Sequence, residues 1–341
     1  MSRTPRSMLA VISLVIFVGC SSEKADPVVR ETVTPVWTDP SAHATGFVMA
    51  NGVKLNYLDW GGTGPNLILI HGLGDNPHVF DDMIPALGGQ FRIVAYARRG
   101  HGRSSKVGPF DTATLTEDLR AVMDSLKIAK AHLAGWSMGG NEITAMAGTY
   151  PDRVDRIVYL DGAYDWADRG WVAAVKELPA DFSPTPAALV SLDAFRAWQT
   201  GTFFPAVAES DRLEAYLRDM VDVQSDGTVR PRASDSVSAA LLDALMTNGR
   251  VYAKVKAPAL AIYSETFLDG VNGDSLQRAK FLAWEEKHMQ PFRAASMARV
   301  KRELKRLEIV VVPGTHPDFM FTSGDRVAQA MKGFLTRNDS K

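Results

Sequence analysis

The chain has 341 residues, of which 46% are hydrophobic and 23% charged, with a formal net charge of -1. That composition belongs to a globular protein long enough to bury a large core. Its scattered basic residues form no electrostatic footprint for nucleic acid, and its single cysteine excludes an internal disulfide.

In chain order, Arg3 and Arg6 precede an apolar stretch over residues 8–19, and Cys20 follows. Those residues span roughly 18 Å as a helix, against roughly 30 Å of bilayer core, so residues 1–19 read as an export signal and not a membrane span. Phe17-Val18-Gly19-Cys20 resembles a bacterial lipobox. That resemblance implies cleavage before Cys20, acyl chains on Cys20, and anchoring in a bacterial cell envelope, on its periplasmic or outer-membrane face where the cell has two membranes. Residues 20–45 are polar, carry Pro27, Pro35 and Pro40, and read as a tether.

Residues 47–50 and 53–60 flank Asn51-Gly52, a hairpin signature that predicts an antiparallel edge. Residues 66–70 form a continuous apolar run of the kind buried on both faces of a sheet, and end in His71-Gly72-Leu73-Gly74. A helix is predicted over 78–87, a strand over 91–96, and a helix over 115–126 with Thr114 or Thr116 as its cap. The apolar run 131–134 meets Gly135-Trp136-Ser137-Met138-Gly139 and then a helical pattern, followed by a strand over 156–160 that leads into Asp161-Gly162. Strands alternating with helices in this way predict an α/β fold with a mostly parallel sheet. Over residues 163–255 the alternation stops in favour of helical patterns, such as 192–199 and 212–221. It resumes with a strand over 258–263, a long helical segment over 276–304, a strand over 307–312 and a closing helix over 326–335.

Gly-x-Ser-x-Gly between a strand and a helix makes a nucleophile elbow. Ser137 stands at its tip in a strained turn, and Gly135 and Gly139 avoid the collision that Cβ atoms would make there. The Met138 N–H, at the start of a helix, would face a developing oxyanion.

These residues resemble the α/β-hydrolase family over residues 45–337. The resemblance rests on His71-Gly72-Leu73-Gly74 after the third strand, Arg99-Gly100-His101-Gly102-Arg103-Ser104 after the fourth, the Ser137 turn after the fifth, and a histidine after the last. The chain has Ala97 where the family usually has an aspartate. The resemblance implies a mostly parallel eight-stranded sheet, with residues 46–162 and 256–338 as the core and 163–255 as a helical cap. It also implies a serine hydrolase that needs no metal and no cofactor.

A neutral serine hydroxyl needs a base. Of seven histidines, His316 lies just beyond the last strand, where the order Ser, acid, His places that base. His71 and His101 sit in turns framing the site; His43 and His78 read as exposed. The family commonly carries its acid at the position that is Phe267 here, so Asp161 at the end of the sixth strand is preferred over Asp269, with Glu265 and Asp165 as weaker alternatives. The oxyanion hole is expected at the N–H groups of Leu73 and Met138. His71, Trp136 and Trp166 are expected to line the substrate pocket, with Trp171, Trp198, Phe203 and Phe204 either roofing it or packing the cap.

The activity expected is hydrolysis of a small, uncharged ester through an acyl-enzyme. Amide or prolyl-peptide hydrolysis, cofactor-free peroxide chemistry and C–C hydrolysis on the same fold are the alternatives, and so is a non-catalytic envelope binding protein. Neither His-x-x-x-His nor clustered metal-ligand spacing is apparent, so no metal site is expected.

Overall fold

The computed structural model of the chain describes residues 37–179, 182–268 and 275–337. Residues 1–19, Cys20, most of the tether and Asp269 lie outside the described residues.

The hairpin forms as its turn chemistry requires. Strands β1 (Ala44–Ala50) and β2 (Val53–Gly61) pair antiparallel around Asn51 and Gly52, whose φ values of 48° and 78° are those of the tight hairpin turn. β3 (Asn66–Ile70), β4 (Arg92–Tyr96), β5 (Ala131–Trp136), β6 (Val154–Leu160), β9 (Ala259–Ser264) and β10 (Leu307–Val312) follow. The sheet has eight strands in the order β1-β2-β4-β3-β5-β6-β9-β10, parallel from β4 to β10 and antiparallel where β2 meets β1 and β4. Leu67 to Ile70 are fully buried, which is what burial on both faces demands of an unbroken apolar run, and all six residues of β5 are buried beside them. β5 lies between β3 and β6, where the chain order reverses. Ser137, Asp161 and the Leu73 loop therefore leave the sheet at one edge, beside its topological switch point.

Four details differ from the sequence reading. In place of one helix over 78–87 there is a 3-10 turn, Pro77–Phe80, and a separate short helix α1 (Ile84–Leu87), each opened by a proline or capped by Asn76. Helix α2 (Thr112–Ser125) starts one turn earlier than expected because Asp111, not Thr114 or Thr116, caps it, accepting from the Thr114 N–H at 2.9 Å. Between β6 and β9, helices α4 (Arg169–Val175), α5 (Leu192–Phe203), α6 (Asp211–Met220) and α7 (Asp235–Thr247) are joined by a small hairpin, β7 (Val221–Val223) and β8 (Val229–Pro231), turning at Gly227. The long helix is broken into α8 (Ser275–Trp284) and α9 (Gln290–Glu303) by a π turn, Glu285–Met289. Pro291 accounts for the break, since it offers no N–H to the preceding turn and crowds the carbonyl four residues back.

Helix α3 (Gly139–Thr149) packs so closely on the sheet that a Cβ at Gly139 would stand 2.4 Å from the Ile70 carbonyl oxygen. Both partners are backbone, so neither can move aside cheaply. Gly139→Ala is expected to cost about 1–3 kcal/mol or to prevent folding, as measured by urea denaturation.

Candidate active site

The turn after β5 holds Ser137 at φ 51°, a region L-residues seldom occupy. It is held there by two backbone bonds: the Ser137 N–H donates to Leu160 O at 3.1 Å and the Gly140 N–H to Ser137 O at 3.1 Å. Gly135 permits the turn, because a Cβ there would lie 2.5 Å from the Gly139 carbonyl. After β6, Asp161 also has positive φ, 41°, and its N–H donates to Ile262 O at 2.7 Å. After β10, Gly314 at φ 109° turns the chain so that His316 points back over the sheet edge, its N–H bonded to Phe267 O at 2.9 Å. A Cβ at Gly314 would meet the Phe319 backbone at 3.0 Å.

These three loops bring Ser137, His316 and Asp161 into one hydrogen-bonded line. His316 Nε2 is 3.1 Å from Ser137 Oγ, and His316 Nδ1 is 2.8 Å from Asp161 Oδ2. The carboxylate accepts from Nδ1–H, so that tautomer leaves the Nε2 lone pair toward the serine hydroxyl. Ser264 Oγ donates to Asp161 Oδ2 at 2.6 Å and Tyr164 OH to Oδ1 at 2.5 Å, so both carboxylate oxygens are engaged. Burial pushes the Asp161 carboxyl upward, but the hydrogen bond and charge of His316, the charge of Arg293 and the Ser264 hydroxyl outweigh it and hold the group below its ordinary value. Phe267, at the position where the family's acid was expected, stacks on the His316 ring with centroids 4.3 Å apart. Asp165 instead pairs with Arg299, and Glu265 is exposed.

Leu73 and Met138 are 2% and 1% exposed. Among the described residues, neither backbone N–H makes a hydrogen bond, whereas those of Gly74, Ser137, Gly140 and Asn141 do. Buried N–H groups without partners are uncommon, and these two flank the serine in sequence and across the sheet edge.

A buried ion pair joins the pieces. Arg98 and Glu142, both fully buried, are paired, with Arg98 Nε donating to Glu142 Oε1 at 2.6 Å and Tyr96 OH to Oε2 at 2.9 Å. Arg98 Nη2, which also faces Glu142, donates to His71 O at 2.7 Å, and Nη1 donates to Gly72 O at 3.0 Å. The Leu73 loop is thereby tied to α3, which carries the serine turn. Burial raises the Glu142 carboxyl despite Arg98 and Tyr96, so what the pair supplies is position more than stability. His71 braces the same loop. Its Nδ1–H donates to Gly72 O at 2.7 Å and its Nε2 accepts the Arg98 N–H at 3.0 Å, which uses both ring nitrogens on backbone instead of presenting them to a pocket. His101 accepts the Gly74 N–H at 3.0 Å, and burial with the charge of Arg98 lowers it to about 3, keeping it neutral. Neither Arg98 nor Glu142 was singled out by sequence reasoning. A charge two residues after one buried strand and another in the first turn of the elbow helix were the available signals.

The site is covered by aromatic rings. Trp136, Tyr164 and Trp166 lie with centroids 5.7, 6.5 and 6.4 Å from His316. Phe292 of α9 stacks on Trp171 at 4.3 Å, and Trp284 Nε1–H of α8 donates to Ala174 O at 3.0 Å. Trp198, Phe203 and Phe204 pack instead among Phe182, Phe195, Tyr216 and Phe321. Ser137 and His316 are 0% and 1% exposed, so the line is shut from solvent.

Glu142→Gln leaves Arg98 buried without a countercharge and is expected to cost about 3–5 kcal/mol in urea unfolding. Because folding depresses the Asp161 carboxyl, its contribution to stability is fully present above the ordinary carboxyl value near 3.8 and is lost as pH falls through the lower folded-state value. Asp161→Asn is expected to flatten that acid limb, measured as Tm against pH.

A family model described as the alpha/beta hydrolase fold matches residues 65–212. The chain is 32% identical over 190 residues to 3-oxoadipate enol-lactonase 2 of Acinetobacter baylyi, covering 55% of this chain and 69% of that one. It is 25% identical over 278 residues to 2-(acetamidomethylene)succinate hydrolase of Mesorhizobium japonicum, covering 80% of this chain and 89% of that one. Two Caulobacter hydrolases are matched more locally, over 37% and 43% of their lengths. The crystal structure of E-2-(acetamidomethylene)succinate hydrolase superposes with a TM-score of 0.69 at 23% identity, covering 86% of this chain and all of that one. Fold, strand order and sequence likeness together make the chain a member of the α/β-hydrolase family.

Proposed function

We propose that the chain is a serine hydrolase that cleaves the ester bond of a small, uncharged substrate through an acyl-enzyme on Ser137. The observation that carries this reading is the unbroken line from Ser137 Oγ through His316 to Asp161, at 3.1 and 2.8 Å. Ser137 Oγ attacks the carbonyl carbon while His316 Nε2 takes its proton, and Asp161 stabilises the imidazolium that forms. The N–H groups of Leu73 and Met138 receive the oxyanion. In comparable sites one such donor is worth about 3–4 kcal/mol of barrier. His316 then returns the proton to the leaving alcohol, and water repeats the sequence to free the acid.

Several observations support an ester with an apolar body. The rings of Trp136, Tyr164, Trp166 and Phe267 around His316 suit an uncharged acyl group. The Acinetobacter relative is named as a lactonase, and a lactone is an ester. In this reading residues 163–255, together with α8 and α9, act as a cap that must shift to admit substrate to the closed serine. The lipobox-like Phe17-Val18-Gly19-Cys20 supports an enzyme tethered to a bacterial envelope through lipidated Cys20.

A fluorophosphonate probe is expected to label the wild-type chain at one site and to leave Ser137→Ala unlabelled. Asp161→Asn is expected to lower turnover of p-nitrophenyl acetate by about 10⁴-fold, while Asp269→Asn keeps the wild-type rate. Labelling or turnover that survives Ser137→Ala overturns the reading.

A further inference from the structure

We propose that Asp39, His43 and His78 bind a divalent transition-metal ion of the zinc class, with Asp81 orienting His78. Sequence reasoning places both histidines at the surface, yet their side chains are only 3% and 5% exposed. The stretch that precedes β1 folds back on the turn Pro77–Phe80, so that residues distant in the chain meet. His43 Nε2 stands 3.2 Å from Asp39 Oδ2, and His78 Nε2 stands 3.7 Å from the same oxygen. All three ligand atoms lie within 4.8 Å of one another. A tetrahedral ion with bonds of about 2.0–2.1 Å holds its ligand atoms about 3.3 Å apart, a spacing that the His43 contact of 3.2 Å meets and that the His78 contact of 3.7 Å reaches with a small inward movement.

The hydrogen bonding around the cluster points the same way. Neither ring nitrogen of His43 makes a well-aligned hydrogen bond, Nε2 having only its 3.2 Å contact with Asp39, and the ring is wedged edge-on against Trp60 at 5.3 Å and beside His78 at 5.1 Å. Burying an imidazole with its nitrogens poorly satisfied is costly, and a metal ion on Nε2 would offset part of that cost. His78 Nδ1 is 2.8 Å from Asp81 Oδ2, which also accepts from Ser41 Oγ at 3.2 Å. A carboxylate on Nδ1–H leaves the Nε2 lone pair directed at Asp39, the arrangement by which an outer carboxylate holds a metal-binding histidine. Two imidazoles and one carboxylate suit zinc and its neighbours better than calcium or magnesium, which prefer all-oxygen shells. The Asp39 side chain is 22% exposed, so an ion has a route in and water can complete its coordination. Bound there, the ion would clip the start of the described chain to the segment that follows the Leu73 loop.

The test uses the full chain stripped with EDTA and titrated with Zn²⁺, then with Co²⁺ as a spectroscopic probe. One Zn²⁺ per chain by equilibrium dialysis is expected, with a tetrahedral Co²⁺ absorption spectrum and a Tm raised by several degrees with Zn²⁺ but not with Mg²⁺ or Ca²⁺. His43→Ala is expected to abolish binding, Asp81→Asn to weaken it about 10- to 100-fold, and His288→Ala, outside the cluster, to leave it unchanged. Should His43→Ala not fold by near-UV circular dichroism, Asp39→Asn serves in its place. Failure of the wild-type chain to take up Zn²⁺, as an imidazolium held between Asp39 and Asp81 would produce, overturns the proposal; so does wild-type affinity in His43→Ala or its substitute.

Discussion

The buried contact between Arg98 and Glu142 sets the geometry on which the site depends. One guanidinium, at the end of β4, reaches a carboxylate in the first turn of α3 and two carbonyls of the loop after β3. The two N–H groups flanking Ser137 belong to different segments of chain, and nothing local to either would keep them in register. A pair of charges taken out of water is an expensive way to gain stability. It is an effective way to fix three backbone segments, because five donors in a rigid plane admit few alternative arrangements.

Strain is concentrated where the chain leaves the sheet. Ser137 and Asp161 both occupy positive φ, just past the ends of adjacent strands, and each is bonded through its own N–H to a carbonyl of the neighbouring strand. Such conformations persist only when surrounding bonds over-determine them. Here the sheet does so: Gly135, Gly139 and Gly314 leave room for backbone to pass within contact of backbone, and the side chains that matter are pointed at one another as a result. Phe267 shows the same economy from another direction. The position that lacks a carboxylate places a flat ring against His316, while Asp161 reaches the imidazole from the next strand end and Ser264 and Tyr164 hold the carboxylate.

The roof over the serine comes from two separated stretches. α4 follows β6, whereas α8 and α9 follow β9, and rings from both interleave through Trp171, Trp284 and Phe292. The π turn between α8 and α9 sits within this contact, next to Trp284. A helix that ran straight from 276 to 304 would present a different face to Trp171.

Much of this was legible in the residues because it rests on local physics. The apolar run of β3 reads as a strand covered on both sides, Asn51-Gly52 favours a tight turn, and two glycines around Ser137 signal a place where Cβ atoms do not fit. What the residues could not reveal depends on meetings across long separations. Asp111 rather than Thr114 capping α2, and Pro291 breaking the long helix, were local signals passed over. The pairing of Arg98 with Glu142, the stacking of Phe267 on His316, and the burial of His43 against His78 carry no local signal at all. By itself, then, the sequence determined the strands of the main sheet, the sharp turn at Ser137 and the family. Only the tertiary structure decided which carboxylate touches His316 and which histidines are buried, because burial and hydrogen bonding are set by neighbours that the order of residues does not name.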